Sequence, residues 1–156
     1  MTFQAYQSIP ILKYRDQDPK SPIVKLIYHS NYYDGPLSGV CTVDDKRYWF
    51  ELCEELEARC PTECHCQCDE HEHVAMMRRF AVLELTPEEW AIEDARHKAF
   101  QEAVGTHTDY TEAGTRSLEG VKPSQTHDEY YRRQQAGEWP EPAVENKKIV
   151  YFLDGI

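Results

Sequence analysis

The chain has 156 residues, of which 40% are hydrophobic and 12% aromatic, and its 17 basic and 28 acidic side chains give a net charge of −11 at pH 7. This length suits one domain with one core, and the aromatic content argues against wholesale disorder. The negative charge disfavours binding to nucleic acid or to an anionic membrane surface, and it leaves a basic protein partner open.

The N-terminal segment has no basic stretch followed by a long apolar run, so we expect no signal peptide. The longest apolar run, residues 149–153, is far shorter than the roughly 20 residues that a membrane-spanning helix needs. We therefore expect a cytoplasmic protein that does not enter the membrane. The sequence leaves its oligomeric state open.

Several segments have the composition of β-strands. Residues 21–30 (SPIVKLIYHS) are rich in β-branched and apolar residues and predict the first strand. Two further apolar segments flank DDK (44–46) and predict a hairpin with a short polar turn. Residues 78–85 predict another strand. The unbroken apolar run in residues 147–156 predicts a last strand inside the sheet rather than at its edge.

The turn predicted at residues 31–39 is a candidate ligand-binding or partner-binding site. It contains Tyr32, Tyr33 and Asp34, which offer aromatic faces and hydrogen-bonding groups at the end of a strand. The alternative is that Asp34 only shapes the turn while the two tyrosines cover the core. Turn chemistry favours that alternative.

Residues 60–73, CPTECHCQCDEHEH, hold four cysteines and three histidines in fourteen positions. Thiolates and imidazoles are the usual ligands of zinc. The candidate ligands are Cys60, Cys64, Cys66, Cys68, His71 and His73, with His65 as a further donor. Because a tetrahedral site needs four ligands, the ligand set stays open. The segment has no Lys or Arg and is not typical of a nucleic-acid finger.

We expect a structural zinc in a Cys/His-rich insertion loop over residues 54–77, between two strands. A catalytic zinc needs an open coordination position and a shaped pocket, and this segment is poor in the apolar residues that line pockets. Two alternatives stay open. The loop is either reduced and metal-free, or it takes up soft ions without a fixed geometry.

A long helix is predicted near residues 86–104. Thr86 and Glu89 match a capping box, Pro87 suits the first helical position, and Gly105 marks the end. Small or apolar residues recur at helical spacing along one side: Ala91, Ile92, Ala95, Ala99 and Ala103. We expect this side to lie close against the sheet.

Residues 105–146 are polar and predict a loop-rich segment with a short helix near residues 127–136, where Thr126 and Glu129 match a second capping box. The fold class that follows is α+β in one domain over residues 1–156. A mainly antiparallel sheet of about four to five strands is packed by one long helix, with the Cys/His-rich loop inserted between strands.

A second group of residues is a candidate for catalysis. His107 and Asp109 directly follow the long helix, His97 lies near its end, and His29 ends a strand. Imidazoles and carboxylates in one place can bind a metal or form an acid–base pair. Nothing in the spacing places these four residues together, and no known catalytic motif contains them. A favourable contact with the helix dipole is the simpler interpretation of His97.

Two functions are compatible with these patterns. The first is a small acidic intracellular zinc-binding protein that binds a macromolecular partner, as an inhibitor, immunity or accessory protein. The alternative is a metal-dependent hydrolase using a His/Asp cleft. A mimic of nucleic acid is less favoured, because the acidic residues are mixed with Lys and Arg along most of the chain.

Overall fold

The computed structural model describes residues 11–13, 22–30, 36–59 and 74–154. They form one six-stranded sheet and two helices, so the α+β class is confirmed. The elements are β1 (Ile11–Lys13), β2 (Val24–His29), β3 (Ser38–Val43), β4 (Lys46–Arg59), β5 (Val74–Leu83), α1 (Pro87–Ala103), α2 (Ser124–Gln135) and β6 (Ile149–Asp154). Neither described helix has the length and apolar character that a membrane crossing needs.

The strands lie in the order β1-β6-β5-β4-β3-β2. The five strands from β6 to β2 are joined by antiparallel pairs, as expected, while β1 adds a parallel edge beside β6. The position of β6 inside the sheet agrees with its unbroken apolar run. The short strand β1 has no counterpart in the sequence analysis.

The turn between β3 and β4 is the predicted hairpin turn. Asp44 and Asp45 have φ angles of 49° and 64°, the left-handed conformation that tight two-residue hairpins require. Asp44 also fixes the start of β2, because its Oδ1 accepts a hydrogen bond from the Ile23 amide at 2.9 Å and its own amide donates to the Ile23 carbonyl at 2.9 Å.

Among the described residues, strands β4 and β5 extend beyond their neighbours as a two-stranded ribbon (residues 54–59 paired with residues 74–79), in which Arg79 alone also pairs with β6. The pairing runs on to Arg59 opposite Val74, whereas β3 reaches only Glu51 on β4 and β6 reaches only Arg79 on β5. The predicted bounds of the insertion loop, 54–77, are therefore wrong at both ends. The connection between the strands is residues 60–73, which lie outside the described residues.

Charge pairing favours the strand conformation at the start of residues 54–59, whose composition resembles that of a helix. Glu54 lies opposite Arg79 and Glu55 opposite Arg78. The nitrogen–oxygen distances in these pairs are 3.8 and 3.6 Å. Opposite charges facing each other across two strands stabilise the pairing, and this information is not present in either segment alone.

Both faces of the sheet are apolar, because successive side chains of a strand alternate between them. One face carries Val24, Leu26, Cys41, Val43, Tyr48, Phe50, Phe80, Val82 and Leu153. The other carries Tyr28, Val40, Trp49, Ala81, Leu83 and Ile149, with Trp90 of α1 packed against it. Burial raises the pKa of the Cys41 thiol to about 12, so this cysteine is an inert part of the core.

Helix α1 begins with the predicted capping box, in which the Thr86 side chain accepts from the Glu89 amide and the Glu89 side chain accepts from the Thr86 amide. Its small-residue side does not face the sheet, which corrects the prediction. Ala91 and Ala95 are exposed. Ile92, Ala99 and Ala103 pack instead in the cluster formed with Tyr130 and Trp139.

Helix α2 packs on α1, in the segment where the sequence predicts a short helix near residues 127–136, and it begins earlier, at Ser124. It begins after Pro123, and no side chain caps it. The Thr126 hydroxyl instead donates to the carbonyl of Ala103 at 2.6 Å or to that of Pro123 at 2.7 Å. The predicted capping box of Thr126 and Glu129 is therefore wrong, because the Thr126 hydroxyl contacts the end of α1.

Candidate functional site

The edge of β2 is covered by residues 105–117. The His29 amide donates to the Thr108 carbonyl at 3.1 Å, and the Tyr110 amide donates to the Ile27 carbonyl at 2.9 Å. Residues 109–117 then fold back on themselves through a bridge between Tyr110 and Arg116. We call residues 109–117 the edge hairpin. It extends the sheet by backbone pairing in a segment where the sequence predicts loops.

The four candidate catalytic residues lie around this edge. The His97 ring stacks on Tyr28 with a centroid separation of 3.5 Å, and His97 Nε2 is 3.0 Å from Asp109 Oδ1. Gln101 Nε2 donates to the other carboxylate oxygen, Oδ2, at 2.7 Å. Because Oδ1 makes no aligned hydrogen bond, the contact between His97 and Asp109 is close in distance but poorly oriented for proton transfer.

His29 is buried, with 2% of its surface exposed. Among the described residues, neither of its ring nitrogens has a hydrogen-bond partner, and the ring meets Tyr110 edge to face at 5.8 Å. Burial, followed by the charges of Arg116 and His107, lowers the pKa of His29 to about 4. The imidazole is therefore neutral at pH 7.

His107 lies against Phe100, with 5.9 Å between the ring centroids. Burial is the main cause that lowers its pKa, followed by the charges of Arg116 and His127. The pKa values of His29 and His107 are thus both lowered at the covered edge. Within the part of the chain that is described, no three His, Cys, Asp or Glu side chains lie close enough together to hold a metal ion.

A buried polar network joins β2, α1 and α2. Arg96 donates to both carboxylate oxygens of Glu93, at 2.9 and 2.6 Å, and to the Tyr130 hydroxyl at 2.9 Å. The Tyr28 hydroxyl donates to Glu93 Oε1 at 2.9 Å. All four side chains are buried. The network explains why a charged side of α1 faces the sheet, since each charge is matched there.

Electrostatics within the network favours the charged pair. Burial, followed by the charge of Glu93, raises the pKa of Tyr28, so its hydroxyl remains a donor. Burial opposes the charge of Arg96, but the hydrogen bonds and the charge of Glu93 outweigh burial and raise the Arg96 pKa. In the sequence, Glu93 and Arg96 have only the spacing of an ordinary surface pair on a helix, so sequence reasoning missed them.

A second missed feature is residues 117–122, which begin at the last residue of the edge hairpin and which we call the display loop. Its backbone is bound at three points. The Ser117 amide donates to Asp109 at 2.7 Å, the Glu119 carbonyl accepts from Thr106 Oγ1 at 2.8 Å, and the Lys122 amide donates to Val104 at 2.9 Å. The exposed fractions of Leu118 and Val121 are nevertheless 93% and 58%.

The remaining sequence-based candidates lie outside the described residues. These are the zinc-ligand candidates Cys60, Cys64, Cys66, Cys68, His71 and His73, and the turn residues Tyr32, Tyr33 and Asp34. Comparison with known protein families, curated proteins and solved structures finds no match to the chain.

Proposed function

We propose that this protein acts by binding a protein partner, as an inhibitor, immunity or accessory protein. The observation that carries the proposal is the display loop. Isolated exposed apolar side chains are ordinary on protein surfaces, but Leu118 and Val121 stand on a short loop whose backbone is already fixed. A fixed loop loses little conformational entropy when its side chains enter a partner's pocket.

The net charge of −11 supports a basic partner. An excess of acidic residues speeds encounter with a positively charged surface and weakens binding to an acidic one. Contacts of this kind lose strength as salt is added, because ions screen exposed charges. We therefore expect partner affinity to fall as ionic strength rises.

Zinc binding by residues 60–73 is part of the proposal and depends on their content of cysteine and histidine. The structure supports it indirectly. The residues that flank the segment, Arg59 and Val74, are paired across the ribbon, so the chain enters and leaves at neighbouring points. When the two ends of a segment are already held side by side, less conformational entropy is lost as four ligands gather around an ion.

Replacing Leu118 and Val121 together with serine is expected to weaken partner binding by about tenfold or more, because apolar anchors that fill pockets dominate the affinity of most interfaces. The partner would be identified by affinity purification under native conditions, and its affinity for each purified variant would then be measured by calorimetry.

The matched control for that experiment is the double serine variant of Ile23 and Ile27, two exposed apolar residues at β2, where the exposed fraction of Ile23 is 58%. This control, and His97→Ala, should bind the partner as the wild type does. Equal loss of binding in the two double variants would show that the display loop has no special role.

Elemental analysis of anaerobically purified protein is expected to find about one zinc ion per chain, and a chelator should lower its thermal midpoint. A Cys60→Ser/Cys68→Ser variant should lose the metal. Cys53→Ser should keep it, because Cys53 donates to the Arg79 carbonyl within the sheet. Wild-type protein that is free of zinc and insensitive to chelator would remove zinc from the proposal.

A further inference from the structure

We propose that residues 105–117 form an acid-released cover over the edge of β2, and that His29 is the group whose protonation releases it. No partner is needed for this release. The imidazole of His29 lies at the junction between the edge strand and the segment that covers it.

The geometry places His29 at that junction in two ways. Its amide makes one of the backbone hydrogen bonds that hold the cover, to the Thr108 carbonyl at 3.1 Å. Its side chain is buried, with Tyr110 of the cover against the ring. The ring cannot reach water unless β2 or the cover moves.

The described surroundings of the ring provide no hydrogen-bond acceptor for a second ring N–H. A protonated imidazole has two N–H donors and needs two acceptors. Among the described residues neither ring nitrogen of His29 has a hydrogen-bond partner. Burying a charge without hydrogen bonds is costly, so protonation of the ring favours the open cover.

The neighbouring charges act in the same direction. The charged groups that act on His29 are His97 on α1 and His107, Asp109 and Arg116 in the cover, while His127 on α2 acts on His107. Asp109 alone in this group favours a protonated His29, and it is already in contact with His97 and Gln101. Protonation of His29 at low pH therefore adds a positive charge near that of Arg116.

The sign of the pH dependence follows from this arrangement. In the open state His29 titrates near its ordinary pKa of about 6.5, whereas in the covered state its pKa is about 4. The cover is therefore fully stable above about pH 6.5 and loses stability as the pH falls towards 4. Release would expose the backbone of β2, which can pair with another strand.

Amide hydrogen exchange measured by NMR on the full chain tests the proposal. Between about pH 7.5 and about pH 4.5, the protection factors of the His29 and Tyr110 amides, corrected for intrinsic exchange, should fall by about tenfold or more. The amides of Phe50 and Val82, in central strands, should keep their protection. Loss of protection at all four amides in one step would show global unfolding and overturn the proposal.

The variant that removes the sensor is His29→Leu, which should abolish the fall in protection at Tyr110, while His127→Gln on α2 should retain it. If His29→Leu does not fold, an NMR pH titration of the His29 ring resonances in the wild type takes its place. The loss of protection at Tyr110 must then occur over the same pH range as protonation of His29. A fall that persists in His29→Leu, or protonation of His29 without a fall, would overturn the proposal.

Discussion

Replacing Glu93 with glutamine is expected to lower the free energy of unfolding by about 3–5 kcal/mol, the cost of breaking a buried ion pair by neutralising one partner. Arg96 would stay buried with its charge unmatched, because the acceptor of two of its hydrogen bonds becomes a neutral amide. The Tyr28 hydroxyl would lose a charged acceptor as well. Urea denaturation followed by circular dichroism measures the change.

The matched control lies one position along the same helix. Asp94 forms an exposed pair with Arg47, at 2.7 Å, and exposed pairs contribute about 0–1 kcal/mol. Asp94→Asn should therefore cost less than about 1 kcal/mol. If Glu93→Gln and Asp94→Asn had the same small effect, the network would not be what fixes α1 beside the sheet.

A double variant separates the charge from the packing. Glu93→Leu combined with Arg96→Met removes both charges at once, and apolar pairs often replace buried ion pairs without loss of stability. The hydroxyls of Tyr28 and Tyr130 would then lose their partners, at about 1–3 kcal/mol for each group left unsatisfied. We expect a stability above that of Glu93→Gln and below that of the wild type.

The parts of the fold that could be predicted are those determined by short stretches of chain. The hairpin at Asp44 and Asp45 follows from two apolar segments around a polar turn. The start of α1 follows from Thr86 and Glu89, because a capping box involves only four residues. The position of β6 follows from its continuous apolar run, since a strand between two others is buried on both faces.

The features that could not be predicted depend on contacts between distant segments. The side of α1 that faces the sheet is charged, and only the pairing of Glu93 and Arg96 with Tyr28 and Tyr130 makes its burial possible. The edge hairpin is held by backbone hydrogen bonds, which leave no pattern in side-chain composition. The proximity of His97 and Asp109 likewise depends on where α1 and the hairpin meet.

The second large effect is expected at Gly105, which follows α1 and lies against Gly120 of the display loop. Its φ angle is 136°, and a Cβ placed there would lie 2.0 Å from the Gly120 carbonyl oxygen and 2.7 Å from its carbon. Because these are backbone atoms, the overlap is relieved only if the two segments separate. We expect Gly105→Ala to lower the free energy of unfolding by about 3 kcal/mol or more, as the sum of a steric overlap and a strained φ.

Gly120→Ala is the control, because its φ is also positive, at 73°, but the nearest atom to an added Cβ is Thr106 Oγ1 at 3.9 Å. This variant should lower the free energy of unfolding only by the cost of placing one residue in a left-handed conformation, about 1–2 kcal/mol.

The same two variants also test whether partner binding needs a fixed display loop. The Lys122 amide and the Glu119 carbonyl are hydrogen-bonded to Val104 and Thr106, so separation of the two segments at Gly105 should free the display loop. Gly105→Ala should therefore lose partner affinity under conditions where it is still folded. Partner affinity equal to that of Gly120→Ala would mean that a fixed backbone is not what the loop contributes.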